Sequence, residues 1–207
     1  MILTGTSGND TLIGGTENDT LSGLAGNDVL NGKAGADTYK FNQGDGQDTL
    51  NDDSNDTSTD QLVFSGTGLT SSNAIVTRIG STSDLKISFG GIADSVLLKD
   101  QVYSTSGNYG VESVQFSNGV TWSEAQLWNA YLTLGAATND TLEGTTANDT
   151  IRGGLGTDYL NGRDGADTYQ FNLGDGQDTL NDSSNDTSLD KLIFSGTGLT
   201  STNAIVT

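Results

Sequence analysis

Large apolar side chains recur at every ninth residue in two stretches of the chain, and the positions between them are polar or glycine. The first stretch places Leu12, Leu21, Leu30 and Tyr39 in this register, and the second places Leu142, Ile151, Leu160 and Tyr169. Two residues before each stands an aspartate: Asp10, Asp19, Asp28 and Asp37, then Asp140, Asp149, Asp158 and Asp167. Five residues before each aspartate stands a glycine: Gly5, Gly14, Gly23 and Gly32, then Gly135, Gly144, Gly153 and Gly162. A period of nine that fixes one turn residue, one anion and one core residue predicts a coil wound around bound cations. In Gly23–Asn31 the glycines Gly23 and Gly26 allow a tight turn. The triplet Val29-Leu30-Asn31 then reads as a short strand with Leu30 inward and its neighbours outward. Two nonapeptides make one coil, so turns on the same side are eighteen residues apart.

The pattern changes after residue 60. Alternating and β-branched runs predict strands at 62–64, 74–79, 85–89, 95–99 and 111–116. Ser117-Asn118-Gly119 is a turn signal. Ser123 is placed to cap a short helix over 124–131, with Leu127 and Tyr131 on one face and Trp128 beside them. This segment reads as a small β-rich cap on the end of the coil. A larger repeat overlies the small one: residues 8–77 align without gaps on 138–207, with about 50 of 70 positions identical. The expected organisation is a first array at 1–60, a β-rich domain at 61–134, a second array at 135–190, and at 191–207 the truncated start of a second β-rich domain. The chain reads as an excised piece of a longer tandem protein. Strands in 191–207 would lack a cap to join, so their edges are expected to allow self-association.

Composition narrows the chemistry. The 207 residues carry a formal net charge of −19 and contain no His, Cys or Pro. That acidity argues against nucleic acid as a partner and against attraction to anionic membranes. Without Cys or His, zinc, copper and haem lose their usual ligands, while oxygen donors for hard cations remain. No catalytic constellation is visible, so the chain is not read as an enzyme. No apolar stretch reaches the length of a membrane span, and no N-terminal signal peptide is visible. Only Asp84, Asp94 and Asp100 of the 23 aspartates lie between 61 and 134, a distribution expected of ligands rather than of a solubilising coat. A cation between stacked turns would be shared by Asp10 and Asp28, and another by Asp19 and Asp37, in a calcium-like shell of about six oxygens.

The run GNDTLIGGTENDTLSGLAGNDVLNGKAGADTY resembles the glycine-rich nonapeptide of RTX (repeats-in-toxin) proteins over roughly 5–60 and 135–190. The pieces LVFSGTGL, DLKISF, DSVLLKDQ and GVESVQFSNGVTW are similar to the haemolysin-type calcium-binding-related domain. The resemblance implies an all-β protein: two right-handed parallel β-rolls joined by a small β-rich cap, holding several Ca²⁺ ions per chain. It implies side-chain ligands at Asp10, Asp19, Asp28, Asp37, Asp140, Asp149, Asp158 and Asp167. It also implies backbone carbonyl ligands at Gly5, Ser7, Gly8, Gly14, Gly15, Thr16, Gly23, Ala25, Gly26, Gly32, Ala34 and Gly35. In the second array the corresponding carbonyls are those of Gly144, Gly153, Gly154, Leu155, Gly156, Gly162, Asp164 and Gly165. A fifth, altered turn follows a two-residue slip at Phe41-Asn42, so that Asp48 pairs with Asp28 and Asp178 with Asp158. Asp45 and Asp175 join this ligand set, and Asp60 and Asp190 end the coil. At the fourth position Glu17, Thr138 and Ala147 replace glycine, which is expected to strain the turn if the backbone there needs a positive φ.

The functional expectation is a non-catalytic calcium-binding module of a secreted or surface bacterial protein, folding on calcium after type I secretion. Two alternatives belong to other classes: a repeat of an adhesin that binds a glycan or cell surface, or the folding and secretion tail of a toxin or enzyme.

Overall fold

The computed structural model describes residues 1–54, 56–79, 84–101, 110–133 and 139–197. It divides into two units, Met1–Leu127 and Trp128–Thr207.

In the first unit the nonapeptides give β1 (Ile2–Thr4), β2 (Thr11–Ile13), β3 (Thr20–Ser22), β4 (Val29–Asn31), β5 (Thr38–Asn42) and β6 (Gln47–Leu50). Odd and even strands alternate between two parallel sheets, as two repeats per coil require. The next elements are β7 (Gln61–Ser65), β8 (Ala74–Arg78), β9 (Leu85–Phe89), β10 (Ile92–Leu98), β11 (Ser113–Gln115) and β12 (Thr121–Ser123). These continue the same two sheets, in the orders β1-β3-β5-β7-β11-β12 and β2-β4-β6-β10-β9-β8. Strands β7, β10 and β11 add in parallel to the array, and β8, β9 and β12 close each sheet with antiparallel pairs. The chain is nearly all-β, and each unit carries a parallel β-solenoid.

The core lies between the two sheets. Leu21, Leu30, Tyr39 and Leu50 are buried where the period of nine placed or extended them. Beyond the array, Phe64 packs edge-on against Phe41 and Phe89 at centroid distances of 5.6 and 5.0 Å and stacks on Phe116 at 5.7 Å. The strands expected at 62–64, 74–79 and 85–89 are β7, β8 and β9. The one expected at 95–99 begins earlier, at Ile92, and the one expected at 111–116 is shortened to Ser113–Gln115. Strand β12 was not expected. The Ser117–Gly119 turn produces it: Gly119 takes φ +80°, and the Phe116 and Val120 backbones pair across the turn.

The helix α1 (Glu124–Thr133) spans the boundary between the units. Ser123 caps it: the Gln126 N–H donates to Ser123 Oγ, and the Ser123 N–H donates back to Gln126 Oε1 at 2.9 Å. Leu127 and Tyr131 are both buried, as expected of one face, and Leu132 is buried with them.

In the second unit β13 (Thr141–Glu143), β14 (Thr150–Ile151), β15 (Tyr159–Asn161), β16 (Thr168–Asn172), β17 (Thr179–Leu180) and β18 (Lys191–Ser195) form two three-stranded parallel sheets. Tyr131 on the helix donates its hydroxyl to the Thr141 carbonyl at 2.8 Å. The expectations for Gly135, Thr138 and residues 198–207 lie outside the described residues.

One local expectation fails in both arrays. Asn31 and Asn161 are buried rather than facing outward. Each folds its amide oxygen back onto the turn, accepting the N–H of Lys33 and Arg163 respectively. An Asx-type turn explains this.

Candidate metal centre

Each turn is built so that a carboxylate fits where a Cβ would stand. A methyl added at Gly23 would lie 2.0 Å from Asp28 Oδ2, and at Gly32 2.1 Å from Asp37 Oδ2. At Gly153 and Gly162 the corresponding distances, to Asp158 and Asp167 Oδ2, are 2.1 and 1.9 Å. The first glycine therefore supplies room rather than an unusual dihedral. The fourth-position glycine of the second coil supplies the dihedral: Gly26, Gly35, Gly156 and Gly165 all take positive φ. Glu17 and Ala147, in the first coils, do not, so the strain expected of them is absent.

The aspartates form a ladder along the coil. Oδ1 of Asp28 accepts the Asp10 N–H at 2.7 Å, Oδ1 of Asp48 accepts that of Asp28 at 3.0 Å, and Oδ1 of Asp37 accepts that of Asp19 at 2.7 Å. The second array repeats it: Asp158 accepts from Asp140, Asp178 from Asp158, and Asp167 from Asp149, at 2.8 to 3.1 Å. The expected pairs, including those across the slip to Asp48 and Asp178, are thus brought together. The sequence separations along this ladder are 18 residues within the nonapeptides and 20 across the slip. The ladder goes further than expected. Asp60 accepts the Asp37 N–H at 2.7 Å over 23 residues, Glu112 accepts the Asp60 N–H at 2.6 Å, and Asp190 accepts the Asp167 N–H at 2.9 Å.

The second carboxylate oxygen differs between coils. At three first-coil aspartates it is capped: Asp10 Oδ2 accepts from Thr6 N–H and Oγ1, Asp19 Oδ2 from Gly15 N–H, and Asp149 Oδ2 from Thr145 N–H and Oγ1. In the second coils position two flips to a left-handed conformation, at Leu24 (φ 69°), Lys33 (φ 73°), Gly154 (φ 87°) and Arg163 (φ 69°). At Lys33 and Arg163 the N–H then points to the buried asparagine instead. Oδ2 of Asp28, Asp37, Asp158 and Asp167 is left buried with no hydrogen-bond partner, as is Oδ2 of Asp48. A buried anionic oxygen without a donor calls for a proton or a cation. Burial raises Asp37 to about 6 and Asp48 to about 7, and it also pushes up Asp158 and Asp167. Oxygen-only donors in a stacked, acidic, glycine-lined turn fit a hard divalent cation.

Backbone carbonyls converge on the same turns. Gly23 O and Gly32 O stand within 2.4 Å of where a Cβ of Gly5 or Gly14 would lie, and Gly162 O within 2.5 Å of that of Gly144. At position four the carbonyls of Gly8, Gly26, Ala147 and Gly156 face the glycine of the next coil, as does that of Glu17. The Gly15 carbonyl is engaged by the Ala34 N–H at 3.1 Å. Asp45 and Asp175 turn their Oδ2 into their own loops, accepting the N–H of Asn42 and Asn172 at 2.7 Å, and neither joins the ladder.

Sequence reading did not place Asp52, Asp60, Glu112, Asp182 and Asp190 among the ligands. Asp37, Asp52 and Asp60, all buried, bring carboxylate oxygens within 4.8 Å of one another, and so do Asp167, Asp182 and Asp190. Two members of each group lie in copies of one segment at the offset of 130: Asp52 and Asp60 in NDDSNDTSTD, Asp182 and Asp190 in NDSSNDTSLD.

Two family models match the chain. Residues 4–39 and 134–169 match the RTX calcium-binding nonapeptide repeat (4 copies), and residues 84–126 match the haemolysin-type calcium binding protein related domain. No curated protein matches the chain. Among solved structures, the chain is similar to the extracellular lipase LipA from Serratia marcescens at 20% identity and a TM-score of 0.21. The match covers 94% of this chain and 32% of the lipase, so the chain spans about a third of that protein. The two family matches show that the chain belongs to the RTX haemolysin-type calcium-binding repeat family, with a haemolysin-type calcium-binding-related domain between its arrays.

Proposed function

We propose that this calcium-binding β-roll acts as a non-catalytic folding module of a secreted or surface bacterial protein, exported unfolded by a type I route and folded by external calcium. The observation that carries the reading is the set of buried aspartate oxygens without donors, on Asp28, Asp37, Asp48, Asp158 and Asp167. Like charges stacked along a coil repel, and a chain of net charge −19 with a thin core has little to offset that repulsion. A cation between coils removes the penalty, and its binding free energy becomes folding free energy. The turns opening with Gly23, Gly32, Gly153 and Gly162 are the best seats, because no N–H competes for their Oδ2. Sites of this kind, at extracellular affinities of roughly 10⁻⁴–10⁻³ M, would stay empty in the cytosol and fill outside.

The organisation in this reading is array 1–60, related domain 61–134, array 135–190 and a second domain beginning at 191. No helix among the described residues is long and apolar enough to cross a membrane.

The test is circular dichroism through a calcium titration, with magnesium as control. The β signal is expected to appear with calcium and to vanish on chelation. Full β signal in chelator would overturn the coupling of folding to calcium.

A further inference from the structure

We propose that Asp37, Asp52 and Asp60 form a separate divalent-cation site at the end of the first array, with Asp167, Asp182 and Asp190 forming its copy in the second. The proposal rests on the calcium-dependent reading above but adds to Asp37 and Asp167 acids outside the nonapeptide pattern, Asp52 and Asp60 and their copies Asp182 and Asp190. Strand register explains how the site arises. Leu30 pairs with Leu50 in β4 and β6, so Asp52 falls where the preceding coil has its turn glycine, Gly32. In the nonapeptides that position offers only backbone oxygen. Here it offers a carboxylate. The ten-residue loop 51–60 then carries Asp60 to the next rung of the ladder, beneath Asp37.

Two observations besides the clustering point to a ligand. Asp37 is 1% exposed, and its Oδ2 has no hydrogen-bond partner. That oxygen stands beside the Gly32 Cα on the same side as the Tyr39 hydroxyl, which donates to Asp52 Oδ2 at 2.6 Å, so the open oxygen faces the cluster. Asp167 repeats this: it is 0% exposed, its Oδ2 is also without a partner, and the Tyr169 hydroxyl lies at the same glycine. Asp52 and Asp60 are each 1% exposed, and no lysine or arginine among the described residues forms an ion pair with any of the first three acids. Three buried carboxylates with no basic partner need a cation or shared protons, and oxygen-only donors select a hard divalent ion over a transition metal.

The geometry assigns distinct roles. Asp52 is the ligand specific to this site. Tyr39 is a positioning residue: it holds Asp52 while its own oxygen accepts the Gly32 N–H at 2.8 Å. Glu112, just before β11, accepts the Asp60 backbone N–H at 2.6 Å and so links the site to the segment that follows.

The experiment is isothermal titration calorimetry with calcium on the whole chain. Asp52→Asn keeps an oxygen for Tyr39 but removes the charge, and Asp182→Asn removes the charge in the more exposed copy. Each is expected to remove one calcium equivalent or to weaken one equivalent at least tenfold, and the double variant two. Asp28→Asn is the control for the nonapeptide sites. If Asp28→Asn lowers the stoichiometry while the other two leave number and midpoints unchanged, this inference is overturned and the proposed function stands. If none of the three changes the titration, both fall. A wild-type measurement covers variants that fail to fold: terbium soaked into crystals should give anomalous density at the Asp52 carboxylate. An ordered cluster without such density would refute the site, leaving a proton-sharing carboxyl pair.

Discussion

The two arrays are close copies in sequence but not in burial. Leu62 is 1% exposed and Phe64 2%, whereas their counterparts Leu192 and Phe194, at the same offset of 130, are 51% and 59% exposed. Asp52 and Asp60 are buried, while Asp182 is half-buried and Asp190 exposed. The turns and ladders nevertheless match rung for rung, and Tyr39 and Tyr169 are both fully buried. The difference lies in what joins the last coil. Strand β7 is flanked by β5 and β11, and β6 by β4 and β10. Among the described residues β17 and β18 are the outer strands of their sheets. The comparison teaches that the nonapeptide specifies the coil locally, whereas the dryness of its last sites comes from the domain that extends its sheets.

The largest expected effect separates the two copies directly. Leu62→Ala should destabilise the first unit by about 2–5 kcal/mol, as for other buried leucines, and Leu192→Ala by less than about 1 kcal/mol, as for a half-exposed one. Urea unfolding in saturating calcium, followed by amide hydrogen exchange to resolve the two units, measures both. Equal losses would break the comparison.

A smaller effect follows from pH in the absence of calcium. Asp37 is raised to about 6 and Asp48 to about 7, from an ordinary value of 3.8, with burial as the first cause. A folded value above the unfolded one means the folded state holds the proton more tightly. The resulting stability is full below about pH 4 and is lost as the pH climbs through about 7. In chelator the chain should therefore show more β signal at pH 5 than at pH 8, with stronger exchange protection in the first array, where the acids are deeper. In calcium the sign reverses, because the ion competes with protons for the same oxygens. More β signal at pH 8 than at pH 5 in chelator would contradict this account.

The smallest effect compares Leu24 with its counterpart Gly154. Both take the left-handed conformation, at φ 69° and 87°, but only leucine is strained there. Relief of roughly 1–2 kcal/mol less the greater unfolded freedom of glycine, roughly 0.5–1 kcal/mol, leaves Leu24→Gly stabilising by up to about 1.5 kcal/mol. Gly154→Leu should cost a similar amount. Chemical denaturation in saturating calcium reads both changes, and a destabilising Leu24→Gly would show that the Leu24 side chain contributes packing that outweighs the strain.

The period of nine, with Gly, Asp and Leu or Tyr at fixed places, was enough to read the coil, the inward residues and the pairing of Asp10 with Asp28 and of Asp19 with Asp37, and the two-residue slip after it gave Asp28 with Asp48. Those features repeat, so each is set by local spacing and by the two-repeat coil. Tertiary structure decided what happens where the repeat stops. The 23-residue step from Asp37 to Asp60 places Asp52 opposite a glycine and brings Glu112 to the ladder from 52 residues away, and no spacing rule foretells a pairing made by an irregular loop and a distant strand. The same holds for the capped and open carboxylates: sequence shows identical aspartates, but the oxygens of Asp28, Asp37, Asp158 and Asp167 are left open where position two takes a left-handed backbone.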